Sequence, residues 1–117
     1  MHSQHLLADL FEIEPEKLKD VDAFLTTLKE SAKMVGFSIL SEAAIFHSEN
    51  SYSSTIFLKL NDSVARLSFH SYPDTGFLAF DLFCSADADT DKFYSLITDR
   101  LLPAIVRKTT ITRGIQN

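Results

Sequence analysis

The sequence is poor in the residues on which several kinds of site depend: it has one cysteine, no tryptophan, three glycines and three prolines. The single cysteine, Cys84, excludes an intrachain disulfide. That fits a reducing compartment, and we expect the protein in the cytoplasm. Three glycines leave little room for a phosphate-binding loop or a dinucleotide fingerprint. No apolar run approaches the roughly 18–20 residues of a membrane-spanning helix. We therefore expect neither a membrane partner nor a glycine-loop cofactor site.

Positive charge is also scarce, because 11 Lys and Arg face 16 Asp and Glu for a net charge of −5. Nucleic-acid binding needs clustered cations, so we expect no nucleic-acid partner. The four histidines, at positions 2, 5, 47 and 70, lack metal-site spacing, and we expect no metal. The 117 residues, 45% of them hydrophobic and ten of them Phe, predict a single domain over 1–117 with one ordinary core.

Hydrophobic periodicity predicts an order of strand, helix, several strands, helix and strand. One helix has an apolar face with three- and four-residue spacing and ends near Gly36. A second begins at Asp89 or Thr90. Its expected apolar face is Phe93, Leu96, Ile97 and Leu101, and that of the first helix is Val21, Phe24, Leu25, Leu28, Ala32 and Val35. The predicted strands are 4–11, 37–46, 53–60, 64–72, 76–84 and 105–112. Because short strands follow one another directly, we expect an α+β two-layer sandwich, mostly antiparallel sheet with two helices on one face.

Alternation along the strands separates two faces of this sheet. Cys84 belongs to the apolar set of its strand, with Leu78, Phe80 and Leu82, and we expect it in the core. Ser68, His70, Asp81 and Ser85 fall on the face away from the helices. That face is where we expect chemistry, although simple solvation explains the same pattern.

Several segments occur in the order found in one known family. They are HLLADL (5–10), PEKLKDV (15–21), FH (46–47), FHSYPDTGFLAFDLF (69–83) and the pair Arg113-Gly114. Together they resemble the small prokaryotic S-adenosylmethionine decarboxylases, and the resemblance spans nearly the whole chain.

This resemblance implies a self-processing enzyme of polyamine (spermidine) biosynthesis. In the family a serine attacks the carbonyl carbon of the preceding residue, the chain is cleaved, and a pyruvoyl group remains on the new N-terminus. That self-derived cofactor reacts with the substrate amine and accepts electrons during decarboxylation. The implied partner is a small-molecule amine such as S-adenosylmethionine, and the family also implies a homodimer.

The family's roles transfer to five residues of this chain. Counting forward from Phe46-His47 places the cleavage at Asp62-Ser63, which makes Ser63 the pyruvoyl precursor, and places a helper hydroxyl at Thr55. His70 occupies the position of the processing histidine. The family's proton-donating cysteine falls at Ser85, where serine is a much weaker donor. Counting backward from His70 instead reaches Ala65, which has no hydroxyl, so the chain carries two extra residues between the two motifs.

Three functions stay open at this point. One is a pyruvoyl-dependent decarboxylase processed at Ser63. Another is a non-processing pseudoenzyme that keeps the fold and pairs with or regulates an active decarboxylase. The third is a ligand-binding domain that uses the old substrate pocket without chemistry.

Overall fold

The computed structural model describes residues 2–42 and 44–114. Within these residues, seven strands form one antiparallel sheet, and three α-helices lie in the connections between strands. The strands are β1 (His2–Phe11), β2 (Ser38–Ile39), β3 (Phe46–His47), β4 (Tyr52–Leu60), β5 (Ser63–Tyr72), β6 (Phe77–Ser85) and β7 (Ile105–Gly114). The helices are α1 (Glu16–Lys19), α2 (Val21–Met34) and α3 (Thr90–Leu101), and a 3₁₀ turn spans Pro73–Thr75.

The sheet order is β2-β4-β5-β6-β1-β7, with β3 also paired to β4. All pairings are antiparallel, and β1 lies between β6 and the edge strand β7. The predicted α+β sandwich is therefore confirmed. The first and last strands are each two residues longer than predicted.

Both long helices begin after an aspartate whose side chain caps the first turn. The Asp20 carboxylate accepts a hydrogen bond from the amide of Ala23 at the start of α2. The Asp89 carboxylate accepts one from the amide of Lys92, so Asp89 rather than Thr90 caps α3. Such caps satisfy amides that have no partner inside the helix.

The core lies between the helices and one face of the sheet. Phe24 of α2 meets Phe69 and Tyr52 edge-on, with ring centroids 5.1 and 5.9 Å apart. Phe93 of α3 meets Phe80 in the same way at 6.0 Å. Both helices thus pack on the same face of the sheet, and among the described residues the opposite face carries no helix. We call that second surface the open face.

The predicted strand 37–46 is wrong in its extent, since only β2 and β3 at its two ends are strands. Between them, side chains replace the backbone ladder. Ser41 Oγ accepts a hydrogen bond from the amide of Phe57 at 3.1 Å, and Ser54 Oγ donates to the carbonyl of Ala44 at 2.8 Å. Serine side chains compete in this way with regular strand pairing.

Candidate functional site

A small cavity opens where β5 begins and β6 ends. Its volume is about 290 Å³, and three residues singled out in the sequence line it: Asp62, Ser63 and Ser85. The remaining lining residues are His2, Ser3, Val64, Phe83 and Cys84. The β5–β6 ladder starts only at Arg66 and Phe83, so the two strands separate beyond that pair and leave this space. We call it the turn cavity.

The hairpin between β4 and β5 presents the Asp62–Ser63 peptide bond to this cavity. Leu60 pairs with Ser63 across a two-residue turn, and Asn61 takes a φ of 54°. Asparagine tolerates that left-handed backbone better than most residues. Ala65, the alternative cleavage position, lies inside the ladder opposite Leu58 and is 2% exposed. Ser63, at the exit of the turn, is thus more accessible than Ala65 as a cleavage position.

Thr55 and His70 line a different groove, on the open face. Thr55 of β4 pairs across the sheet with Ser68 of β5, and their hydroxyl oxygens are 2.9 Å apart. His70 lies two residues further along β5, and all three line a groove of about 300 Å³. Phe46 stands 70% exposed at its edge. This hydroxyl–imidazole group can bind and move protons, and we call it the mid-sheet groove.

The turn cavity and the mid-sheet groove are far apart within one chain. Seven residues of continuous strand separate Ser63 from His70, which is about 23 Å at the usual rise of a strand. The odd separation also places the two side chains on opposite faces of β5. The structure therefore brings Asp62, Ser63 and Ser85 together, and Thr55 and His70 together, but not the two groups.

Cys84 and Ser85 face in opposite directions, as the alternation predicts. Cys84 is 2% exposed, and burial raises the pKa of its thiol to about 11. A thiol with that pKa stays protonated at neutral pH and is a weak nucleophile. Ser85 pairs with Ser3 of β1 at the rim of the turn cavity.

Sequence reasoning missed the role of β1 on the open face. His5 Nε2 lies 2.6 Å from Asp81 Oδ2, and the His5 ring meets Phe83 edge-on at 5.6 Å. Asp81 in turn lies opposite Ser68, beside the mid-sheet groove. Alternation places His5 on this face, but the sequence does not reveal that β1 lies next to β6.

An aromatic row crosses the open face at its other end, and sequence reasoning also missed it. Phe77 lies 5.0 Å from Phe11 and 5.8 Å from Tyr72, between ring centroids. The Arg107 guanidinium lies 5.3 Å from the centre of the Phe11 ring. These aromatic residues border an open pocket of about 420 Å³. Such a row can stack on a flat ring of a ligand.

No group of three or more His, Cys, Asp and Glu side chains in the described parts of the chain is arranged to hold a metal ion. No helix of residues 2–42 or 44–114 is long and apolar enough to cross a membrane.

The fold and the site together define a class: a small α+β sandwich protein with a serine at a hairpin turn facing a hydroxyl-lined cavity. The sequence pattern of the S-adenosylmethionine decarboxylase family matches residues 4–114. The chain belongs to that family, which confirms the resemblance carried by its motifs.

Named relatives agree with this assignment. The S-adenosylmethionine decarboxylase proenzyme of Sulfurihydrogenibium is 30% identical over 112 residues, which is 95% of this chain and 81% of the relative. That of Oceanobacillus iheyensis is 26% identical over 113 residues, covering 96% and 86%. The crystal structure of the adenosylmethionine decarboxylase from Aquifex aeolicus superposes with a TM-score of 0.79 at 22% identity, covering 98% of this chain and 92% of that one. This last likeness concerns the fold.

Proposed function

We propose that this protein is a self-processing proenzyme that cleaves its own chain between Asp62 and Ser63. The resulting pyruvoyl protein decarboxylates a small amino-acid substrate such as S-adenosylmethionine, in the cytoplasm, for spermidine synthesis. The observation that carries the proposal is the position of Ser63. It leaves a tight turn and lines a cavity of about 290 Å³, in a chain whose relatives are named proenzymes.

Cleavage requires only atoms of the turn and a proton acceptor. Ser63 Oγ attacks the carbonyl carbon of Asp62, the C–N bond breaks, and an ester replaces the peptide bond. Loss of the Ser63 α-proton then breaks the Cβ–Oγ bond and leaves a carboxylate on Asp62. Hydrolysis of the resulting unsaturated residue 63 releases ammonia and forms the pyruvoyl ketone.

The turn cavity suits such a group. It is lined by small hydroxyl side chains, Ser3 and Ser85, next to the apolar ring of Phe83. When formed, the pyruvoyl ketone supplies an electron sink for decarboxylation. Ser3, Ser85 and Phe83 would contact a substrate bound there.

We further propose that the active unit is a homodimer, because one chain does not bring together the two groups of residues to which the family assigns roles. His70 of the same chain lies about 23 Å along the strand from Ser63 and on the opposite face. The open face carries exposed apolar side chains, including Phe46, Phe57 and Ile111. A second copy covering that face in a two-fold arrangement brings His70 of the partner subunit to the turn cavity.

Intact mass under denaturing conditions tests the cleavage. The wild-type protein is expected to give two fragments, 1–62 and 63–117, the second carrying the pyruvoyl mass change. Ser63→Ala is expected to stay full length, while Ser95→Ala, at an exposed serine of α3, cleaves normally. A single full-length wild-type species would leave the non-processing partner protein or the ligand-binding domain as the function.

Mixed dimers test the shared site. Ser63→Ala and His70→Ala chains carrying different tags are expected to remain uncleaved when expressed alone. After co-expression and purification through both tags, the His70→Ala chain is expected to be cleaved, since its intact Ser63 meets the histidine of the other chain. Cleavage of His70→Ala on its own, or none in confirmed mixed dimers, would contradict a shared site.

A further inference from the structure

We propose that His2 is the proton donor of the turn cavity, where it protonates the substrate carbon that loses carbon dioxide. His2 is the one histidine among the residues that line this cavity together with Ser63. The inference rests on the proposed function and adds to it a residue for the protonation step that follows loss of carbon dioxide.

The sheet itself holds His2 at this position. His2 begins β1 and pairs with Gly114 of β7, while its carbonyl accepts a hydrogen bond from the amide of Ala86 at 3.2 Å. On one side of β6 lies β1, and on the other lies β5, which begins at Ser63. His2 and Ser63 therefore lie on either side of β6, and both line the turn cavity that opens where β5 and β6 separate.

A short side chain lies between them. β6 ends at Ser85, and the next residue is Ala86, whose methyl group fills little of the gap. An imidazole extends several ångströms from its backbone, so His2 and the residue at 63 reach into the same space. Strand alternation also places both side chains on the same side of the sheet. His2 faces the same side as Leu6 of its strand, and Ser63 faces the same side as Ala65 of its own.

The other groups of the cavity are poorer proton donors. Ser3 and Ser85 offer hydroxyls, which release a proton only to strong bases. Cys84 lies on the same side of the sheet as His2 and Ser63, but it is only 2% exposed, and burial raises the pKa of its thiol to about 11, which makes it a weaker acid. An imidazole exchanges its proton near neutral pH, which is where general acid catalysis is most effective.

The proton balance of the step is simple. When formed, the pyruvoyl group would supply the electron sink that lets carbon dioxide leave the substrate α-carbon. An N–H of the His2 ring then gives its proton to the α-carbon, and the ring regains one from water. Without a donor at this place, the proton would go to the former ketone carbon of residue 63 instead; hydrolysis would then release the substrate as an aldehyde, leave its nitrogen on residue 63 as alanine, and inactivate the protein.

The experiment compares His2→Ala with His47→Ala, whose histidine is exposed on β3 at a distance from the turn cavity. Cleavage is followed by intact mass, and decarboxylation is measured per cleaved chain with S-adenosylmethionine as the probe. His2→Ala is expected to cleave into the same fragments but to decarboxylate about 100-fold more slowly. Added imidazole is expected to restore part of the rate, and alanine is expected to accumulate at residue 63.

Each other outcome overturns the inference. An unchanged rate per cleaved chain in His2→Ala, or an equal loss in His47→Ala, shows that His2 is not the donor. A loss in Cys84→Ala with none in His2→Ala assigns the role to the thiol. Failure of imidazole to restore any rate, with no alanine at residue 63, reduces His2 to a structural residue. If the wild-type chain does not cleave at all, the proposed function fails, and the inference fails with it.

Discussion

Gly76 is the residue at which we expect one added methyl group to destabilise the protein most clearly. It follows the 3₁₀ turn between β5 and β6 with a φ of 65°, a left-handed backbone that costs other residues about 1–2 kcal/mol. A Cβ at this position would overlap the carbonyl oxygen of Ile13. The same pair of residues is joined by a hydrogen bond from the Ile13 amide to the Gly76 carbonyl at 2.9 Å.

The overlap is with backbone, so no side chain can rotate to relieve it. Moving Ile13 away costs the hydrogen bond, about 1 kcal/mol, and disturbs a residue that is 2% exposed, for about 1–2 kcal/mol more. We therefore expect Gly76→Ala to lower the free energy of unfolding by about 3–5 kcal/mol. Urea and thermal unfolding, both in the uncleavable Ser63→Ala background, measure this.

Gly36 provides the matched control. Its φ is 99°, but a Cβ there meets only Leu60 Cδ1, the end of a flexible side chain, at 3.3 Å. Gly36→Ala thus carries the backbone cost alone, about 1–2 kcal/mol. The difference between the two variants corresponds to roughly 10 °C in Tm at about 4 °C per kcal/mol. Equal destabilisation by the two substitutions would refute the backbone overlap as the cause.

Two further expectations concern α3 and Cys84. Asp89→Ala removes the cap of α3 and is expected to cost about 1 kcal/mol in urea unfolding. Asp87→Ala, at an exposed position of the same loop, should cost much less, and equal losses would rule out capping. Because burial raises the pKa of Cys84 in the folded state to about 11, its contribution to stability is complete below the ordinary thiol pKa of 9.0 and is lost as the pH rises from there to about 11. Unfolding measured across that range should show a loss that Cys84→Ala lacks, and identical pH slopes would disprove this linkage.

The site could be predicted from the sequence only in part. The family motifs predict roles for Ser63, His70, Thr55 and Ser85 one by one, because each motif is local in the chain. Whether these residues lie close together is a different question, since a strand advances about 3.3 Å per residue. Residues that are neighbours in function within a family can thus lie on opposite faces of one strand, as Ser63 and His70 do.

The sequence by itself determined the class of fold, both long helices, the core side of β5 and β6, and the family. These features depend on periodicity and short motifs, which a linear chain contains in full. Only the tertiary structure decided that β1 lies between β6 and β7. That position pairs His5 with Asp81 and brings His2 to the cavity of Ser63. The order of strands in a sheet depends on long-range packing of all the faces at once, so residues 61 positions apart become neighbours without any local signal.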